Sequence, residues 1–362
     1  MHILHIVNNC NEGGVGNVII PIIERLKNDE MRFTIVYLKK PDSLKEVYAK
    51  LGVDTFLLGT NPIFIFFRLL RFKQKTEFPI SLIHTHLVHA SLVGRIFGKI
   101  FNIPVLTTRH YHKRSKKYDP LYLLEDLSLK YSDFVIPISN AVKDHIVDSN
   151  YVPSKKCQVI YNPVDLDLFL GHEPINLEVR RNILCNARWI KIKGIEYLLD
   201  AFEKIGEILP DAHLILIGRN EHAKSLNKKI STHPFKDKIE IKGFIPRKEI
   251  MKELSKTRIY VQPSLLEGLG LSAIEAMGMG TPCIFSDTGG LTELSNNNNN
   301  AVLVPSGNSK LLGENIISLW NNINKSVELS TNAKFFVEEY FDADKIAMQY
   351  LNAYKQSTQI SN

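Results

Sequence analysis

The chain has 362 residues, of which 44% are hydrophobic and 23% charged, and its formal net charge is +7. This length exceeds the size at which one core keeps growing, so we expect two domains. The balanced composition excludes a disordered or fibrous protein. The positive charge favours anionic partners such as phosphates or an acidic membrane surface. We expect no nucleic-acid partner, because the basic residues are not interleaved with aromatic ones in a recognised nucleic-acid-binding motif.

The cysteines and the apolar segments bear on location. The four cysteines are scattered singly with no C-x-x-C pair, which fits neither a zinc site nor a disulfide framework. The opening MHILHIV stops at Asn8, is too short for a signal-peptide core and indicates a first strand. The longest apolar run, residues 62–70, contains Arg68 and falls short of the roughly 20 residues of a membrane span. We therefore expect a cytoplasmic protein without a transmembrane helix.

The elements follow one another as in a parallel α/β fold. The first strand leads into NNCNEGGVGN and then an apolar-periodic helix. Strand-like runs follow at FTIVYL, DTFLL, SLIHTH, PVLTT and FVIPIS, with helical stretches such as ASLVGRIFGKIF between them. The composition loosens after VIYNPVDLDLF, and the alternation restarts at NILCNARW and continues through AHLILIG, KIEIKGF, RIYVQPS and TPCIFSD. We predict two doubly wound domains with a boundary near Leu170.

The most informative segment is PSLLEGLGLSAIEAMGMGTPCIFSDTGGLTEL, which follows a strand ending at Gln262. A glycine-rich turn then precedes a helix that should begin near Leu271. Glu267 lies in the turn and Glu275 one turn into the helix. The two carboxylates can accept hydrogen bonds from different hydroxyl groups of one long ligand, which fits a nucleotide sugar. Taken alone, such a pair is more often a solvated loop charge and a helix-surface residue.

A second element is NARWIKIKGIEYLL, in which Arg188 precedes Lys193 and Gly194 at the start of a helix. The guanidinium and the ammonium together can neutralise the charge that grows on a departing nucleotide diphosphate. We find no acidic cluster suited to Mg²⁺ or Mn²⁺ near these elements. The sequence therefore predicts chemistry with no metal cofactor.

The first half offers a glycine turn in NEGGVGN, where Gly13, Gly14 and Gly16 allow the backbone to approach phosphates or a sugar. This turn lacks the spacing of G-x-G-x-x-G. The second strand also ends in Lys39 and Lys40, where an NAD enzyme needs an acidic residue for the ribose. An NAD(P)-dependent oxidoreductase is therefore an alternative, and a catalytically silent nucleotide-sugar-binding protein is another.

Histidines follow two neighbouring strands, with His84 and His86 in SLIHTH and His110 after PVLTT. The ends of parallel strands are where ligands bind. A zinc site is one interpretation, but neighbouring acidic ligands are absent, and we expect His84 and His86 to point to opposite faces of their strand. We therefore predict no metal here.

Aromatic and basic residues stand side by side in FIFFRLLRFKQK and RHYHKRSKK. Such segments suit an anionic membrane, where each cation adds about 1 kcal/mol near an acidic leaflet. The alternative is a core helix with a solvated basic end.

The segment around Glu267 closely resembles the signature of the GT-B retaining glycosyltransferases of family four, the glycosyl transferases of group 1. This chain has Leu269 where the family has an aromatic residue. The resemblance runs from the Gly-Gly loop through VIYNPVDLDLF to the closing FFVEEYFDADKIAMQYLNAY. It implies an α/β fold of two facing Rossmann-like domains, with a C-terminal helix crossing back to the first. The implied parts are an acceptor domain at 1–170, a nucleotide-sugar donor domain at 171–335 and the returning helix at 336–362.

The resemblance also implies the activity and its residues. It implies retaining transfer from a UDP- or GDP-linked sugar to a cell-surface glycan or lipid-linked acceptor, with lipopolysaccharide, capsular and small-molecule acceptors all left open. The residues described above add the expectations of metal independence and of a location at the inner face of the plasma membrane. In the family the first glutamate binds the donor sugar and the second binds the ribose, while the GGLTEL segment, with Gly289 and Glu293, lines the same cleft. The catalytic residues implied are His110, Arg188, Lys193 and Glu267. The donor-binding residues implied are Gly13, Gly14, Gly16, Arg188, Lys193, Glu267, Gly268, Leu269, Gly270, Leu271, Glu275 and Gly290.

Overall fold

The computed structural model describes residues 1–11, 14–112, 120–172, 176–219 and 223–359. Its strands are β1 (His2–Val7), β2 (Arg32–Tyr37), β3 (Asp54–Leu57), β4 (Leu82–His86), β5 (Val105–Arg109), β6 (Phe134–Pro137), β7 (Asn182–Asn186), β8 (His213–Ile217), β9 (Ile239–Gly243), β10 (Thr257–Gln262), β11 (Cys283–Asp287) and β12 (Val302–Pro305). Its helices are α1 (Gly14–Leu26), α2 (Lys45–Lys50), α3 (Pro62–Lys75), α4 (Val88–Phe101), α5 (Pro120–Ser128), α6 (Asn140–Asp148), α7 (Ile195–Ile208), α8 (Lys224–Ser231), α9 (Arg247–Ser255), α10 (Leu271–Gly278), α11 (Gly290–Ser295), α12 (Ser309–Asn321), α13 (Ile323–Tyr340) and α14 (Ala343–Gln359).

In the described residues the strands form two parallel sheets of six strands each. The order is β3-β2-β1-β4-β5-β6 in the first sheet and β12-β11-β10-β7-β8-β9 in the second. Both are the strand order of a doubly wound Rossmann-like domain, so the predicted fold class is confirmed. The order reverses between β1 and β4 and between β7 and β10. Open sheets of this kind bind ligands at the reversal, beyond the carboxyl ends of the strands.

The chain divides into two compact units, residues Met1–Val164 with Ala343–Asn362, and residues Asp165–Asp342. Helix α14 belongs to the first unit, as the resemblance implies, and it packs against α1. The backbone N–H of Ala343 donates to the carbonyl oxygen of Val164 at 3.1 Å. This bond anchors the start of α14 beside the point where the chain leaves the first unit.

The core of the first unit lies on the central strands of its sheet. Leu4, Ile6, Ile83 and Val105 are buried, and Phe97 of α4 packs against them. Strands covered by helices on both faces are expected to read as nearly continuous apolar runs, as β6 does. Each such buried side chain contributes about 1.5–3 kcal/mol relative to an exposed one.

Helix α7 positions the second unit's site. It buries Ile195, Leu198 and Phe202 at helical spacing. It begins directly after Gly194, whose φ of +64° favours glycine. A Cβ on Gly194 would lie 1.9 Å from the carbonyl oxygen of Pro263. Glycine at this position therefore lets the start of α7 contact the turn that follows β10.

No helix in the described part of the chain is long and apolar enough to cross a membrane. The apolar run at residues 62–70 lies within α3, which has 14 residues.

Candidate functional site

The candidate site of the second unit lies at the carboxyl ends of β7 and β10, the neighbouring strands between which the sheet order reverses. Arg188 follows β7 and Glu267 follows β10. Parallel neighbours end at the same edge, so the two segments singled out in the sequence meet there. The backbone joins them directly, because the N–H of Leu265 donates to the carbonyl oxygen of Ile192 at 2.8 Å.

The ion pair of Lys193 and Glu267 is the centre of this site. The Lys193 Nζ donates to the Glu267 Oε2 at 2.5 Å, and the two side chains are 15% and 12% exposed. The partial burial shields the pair from water, so it is stronger than an exposed surface pair. Both groups still reach solvent, which leaves an anion and a cation side by side for the hydroxyl groups and phosphate oxygens of a ligand.

A chain of hydrogen bonds fixes Glu267 from the core of the sheet. The hydroxyl of Tyr260 donates to the Gln262 Oε1 at 2.5 Å, and the Gln262 Nε2 donates to the Ser264 Oγ at 3.0 Å. The Ser264 Oγ in turn donates to the Glu267 Oε2 at 3.2 Å. Residues two apart along a strand share a face, so the first steps of this chain follow from the pleat of β10. The carboxylate is therefore held in place before any ligand binds.

The GGLTEL segment supports the backbone of the turn. Gly289 has a φ of +53°, and a Cβ on it would lie 1.9 Å from the carbonyl oxygen of Glu267. A Cβ on Gly290 would lie 2.4 Å from the carbonyl oxygen of Gly268. Any side chain at either position would displace the turn that presents Glu267.

Glu275 is buried in α10 and is paired with a cation that the sequence did not single out. Its Oε1 accepts a hydrogen bond from the Arg247 Nε at 2.7 Å, and the two side chains are 7% and 22% exposed. Arg247 is the first residue of α9, which follows β9. The carboxyl end of β9 lies at the same edge of the sheet. A basic residue just after a strand was thus the available signal for this pair.

The other predicted residues of the second unit occupy distinct environments. Arg188 is exposed beyond β7. Leu269 is 1% exposed, so the side chain at the family's aromatic position packs into the protein. Gly270 has a φ of +98°, and α10 begins at Leu271 as the sequence predicts. These features place backbone N–H groups of the turn and the first turn of α10 at the sheet edge.

Two of the glycines predicted to form a turn in the first unit lie in a helix instead. Gly14 is the first residue of α1 and Gly16 lies in its first turn, while Gly13 lies outside the described residues. A Cβ on Gly16 would lie 2.3 Å from the Leu44 Cδ1 and 2.9 Å from the Asn11 carbonyl oxygen. Close packing of α1 therefore accounts for Gly16.

The histidines of the first unit form a cluster at the reversal point of the first sheet. The expectation that His84 and His86 point to opposite faces is wrong, because residues two apart in a strand share a face, and their ring centroids are 4.2 Å apart. The His86 Nδ1 lies 3.0 Å from the His110 Nε2, and the His86 Nε2 lies 3.2 Å from the His5 Nδ1. His5, His84 and His86 hold potential ligand nitrogens within 4.8 Å of one another. The absence of a metal therefore stays a prediction.

Burial decides the protonation of this histidine cluster. It lowers the pKa of His110 to about 4 and that of His5 to about 3. Burial and then the neighbouring histidines hold the pKa values of His84 and His86 well below the ordinary range. All four rings are neutral near pH 7. A neutral His110 can therefore exchange hydrogen bonds with a ligand without adding a charge.

A buried ionic network fixes the end of β5 beside His110. Arg109 pairs with Glu125 and with Asp126, and Arg95 donates to the other Glu125 oxygen at 2.9 Å. Removing one partner from such a network leaves an uncompensated buried charge. The network therefore holds the backbone at the end of β5, and with it His110, in a fixed position.

Two family models match most of the chain. The model for glycosyl transferases group 1 matches residues 173–335. The model for Glycosyltransferase Family 4 matches residues 12–168.

Individual proteins resemble the chain over most or about half of its length. An uncharacterized glycosyltransferase of Methanocaldococcus jannaschii is 28% identical over 296 residues, which cover 76% of this chain and 75% of the relative. The UDP-Gal:alpha-D-GlcNAc-diphosphoundecaprenol alpha-1,3-galactosyltransferase of Escherichia coli is 28% identical over 58% of each chain. HepE of Anabaena, solved in complex with UDP-glucose, matches with a TM-score of 0.86 over 98% of this chain and 100% of HepE, at 19% identity. This last likeness shows the fold.

Proposed function

Because this chain belongs to the glycosyltransferases of group 1 and family four, we propose that it transfers a sugar from a UDP- or GDP-linked donor with retention of configuration and without a metal ion. The acceptor is a cell-surface glycan or a lipid-linked glycan. The observation that supports this most is the pair of Lys193 and Glu267 at the reversal point of the second sheet. It sets a phosphate-binding cation beside a hydroxyl-binding carboxylate.

Each charged group has a part in this reaction. Lys193 and Arg188 stabilise the negative charge that develops on the departing diphosphate. Glu267 accepts hydrogen bonds from the donor sugar and fixes its orientation. Glu275, whose Oε1 is held by Arg247, presents its other oxygen to the ribose.

Retention follows if the acceptor oxygen attacks the anomeric carbon from the face that the diphosphate leaves. The bond from that carbon to the phosphate oxygen breaks, and the acceptor's hydroxyl proton passes to the leaving phosphate. His110, neutral and mounted at the end of β5, lines the acceptor side. The resemblance to retaining enzymes of the family supports this route.

The donor class is tested by thermal stabilisation of the full chain, since a ligand that binds only the native state raises the melting temperature. We expect UDP or GDP to stabilise the protein, and NADH and NADPH to have no effect. The reverse result would overturn the proposal. Release of nucleoside diphosphate from the preferred donor sugar should also survive EDTA, and a strict divalent-metal requirement would contradict metal independence.

The acceptor and location are supported by relatives and by surface chemistry. The Escherichia coli relative is named for a diphosphoundecaprenol-linked acceptor, and a relative in Salmonella typhimurium is named an O-antigen chain mannosyltransferase. We infer that this chain also serves polysaccharide or lipopolysaccharide synthesis at an anionic membrane surface. α3 contributes exposed aromatic and basic side chains to such a surface, whereas residues 113–117 of RHYHKRSKK lie outside the described residues. Co-sedimentation with phosphatidylglycerol vesicles, but not phosphatidylcholine vesicles, is the expected result.

A further inference from the structure

An apolar cavity of about 420 Å³ opens between α3 and α4 in the first unit. Ile65 and Leu69 of α3 and Val93, Ile96 and Phe97 of α4 line it. Its volume falls in the range of about 300–1,000 Å³ that small-molecule sites occupy. A cavity with such walls gives water few hydrogen-bond partners, so it favours a hydrocarbon ligand.

The mouth of this cavity is polar and lies at the ligand-binding edge of the first sheet. Asn8, Lys39, Thr60 and His89 line it there, and they follow β1, β2, β3 and β4 respectively. The carboxyl ends of parallel strands share one edge, so the mouth lies on the same edge as His110, which follows β5. A ligand with an apolar tail in the cavity therefore presents its head group toward the acceptor side of the sheet.

The charge around the cavity suits a phosphate. The described sequences of α3 and α4 contain no aspartate or glutamate. Lys39 lines the cavity and is exposed at its mouth, whereas Arg68, Arg71 and Lys75 of α3 line a second pocket. His89 lies in the first turn of α4, so the positive amino end of that helix faces the same mouth.

Apolar side chains are also exposed beside the cavity. Ile96, which lines it, is 60% exposed, and Phe64 and Phe67 of α3 are 59% and 60% exposed. Large apolar side chains exposed together mark an interaction site. A hydrocarbon chain can therefore enter the cavity past the exposed Ile96.

We propose that this cavity holds the hydrocarbon chain of a phosphate-bearing lipid acceptor, with the phosphate at Lys39 and the amino end of α4. The proposal rests on the proposed function and narrows its acceptor to a prenyl or alkyl phosphate lipid. A membrane surface alone would contact the exposed apolar side chains and the cations of α3 but would leave the interior of the cavity unfilled.

The probe is farnesyl monophosphate, kept below its micelle concentration and titrated calorimetrically into the full chain. We expect it to bind at least about ten-fold more tightly than geranyl monophosphate, because the longer chain buries more methylene groups. Farnesol and inorganic phosphate should each bind more weakly than the joined molecule. Equal affinity for farnesyl monophosphate and inorganic phosphate would overturn the proposal.

Two variants test whether the hydrocarbon chain of the ligand occupies the cavity. Val93→Phe fills the cavity and should weaken farnesyl monophosphate binding by about ten-fold or more, while Ile100→Phe, on the same helix but not lining the cavity, should leave it unchanged. Equal effects of the two would overturn the proposal. If Val93→Phe fails to fold, the exposed Lys39→Ala takes its place and should weaken farnesyl monophosphate about ten-fold but leave farnesol unaffected.

Two further measurements distinguish this proposal from binding to a membrane surface and from the proposed donor chemistry. Binding to phosphatidylglycerol vesicles without binding to monomeric farnesyl monophosphate would show a membrane surface only and overturn the cavity site. UDP or GDP stabilisation is measured on the same preparation. A protein that responds to the nucleotide but not to farnesyl monophosphate overturns this inference alone, whereas the opposite pattern overturns the proposed donor chemistry and supports the lipid site.

Discussion

Replacing Glu267 with glutamine keeps the size of the side chain but removes the charge that pairs with Lys193. Breaking an exposed ion pair costs about 0.2–1 kcal/mol and breaking a fully buried one costs about 3–5 kcal/mol. The side chains here are 12% and 15% exposed, so we expect a loss of about 1–2 kcal/mol in the free energy of unfolding. A domain of 150–250 residues loses about 2–4 °C per kcal/mol, which predicts a melting temperature lower by about 2–8 °C.

The same substitution should slow catalysis far more than it destabilises the fold. Glu267 fixes the reacting sugar, and loss of such positioning costs about 10²-fold in rate. The assay follows release of nucleoside diphosphate at saturating donor, together with the melting temperature of the same preparation. Glu314→Gln is the matched control, because the pair of Glu314 with Lys204 is 3.4 Å long with side chains 38% and 47% exposed. The control should change neither quantity measurably.

A double-mutant cycle tests the pair itself. Lys193→Met and Glu267→Gln should each destabilise the protein, and the double variant should lose less than the sum of the two. A folded Glu267→Gln protein with the parental rate would refute the donor-sugar role. Additive losses across the cycle would refute the stabilising role of the ion pair.

Three further outcomes follow from the structure. Arg247→Met should leave Glu275 buried without its cation and weaken UDP or GDP binding by about ten-fold; calorimetric titration with an unchanged affinity would contradict this. Gly289→Ala should displace the turn backbone and lower both stability and donor affinity. The φ of +53° alone costs about 1–2 kcal/mol for a residue with a Cβ, and the contact with the Glu267 carbonyl adds to this cost. A variant with the parental denaturant midpoint and donor affinity would show that the turn tolerates a side chain. The neutral histidine cluster should make stability depend on pH. Because the pKa of His110 is about 4 in the folded protein and 6.5 ordinarily, the unfolded state binds more protons between these pH values. Stability is therefore fully present above pH 6.5 and falls by about 1.4 kcal/mol per pH unit for each such histidine as the pH drops toward 4. Urea unfolding at pH 7.5 and 5.5 measures this, and equal stability at both would contradict the lowered pKa values.

The sequence by itself determined the fold and the ends of the elements around the donor segment. Strand, glycine turn and helix follow one another in patterns that depend on neighbouring residues. The end of β10 at Gln262 and the start of α10 at Leu271 could therefore be predicted from the sequence. Apolar runs buried by helices on both faces predicted parallel sheets for the same local reason. The positions of Glu267 and Glu275 on a turn and a helix followed directly.

Only the tertiary structure decided which side chains meet. Arg247 reaches Glu275 across 28 residues of sequence, and Lys193 reaches Glu267 across 74. The hydrogen bonds that hold Glu267 from β10 also depend on the tertiary structure, although polar residues at alternate positions of a buried strand indicate them. The burial that keeps the histidine cluster neutral comes from neighbouring strands and from α14, which no local pattern reports. Pairing and burial depend on how distant elements pack, and that information is spread over the whole chain rather than contained in any one segment.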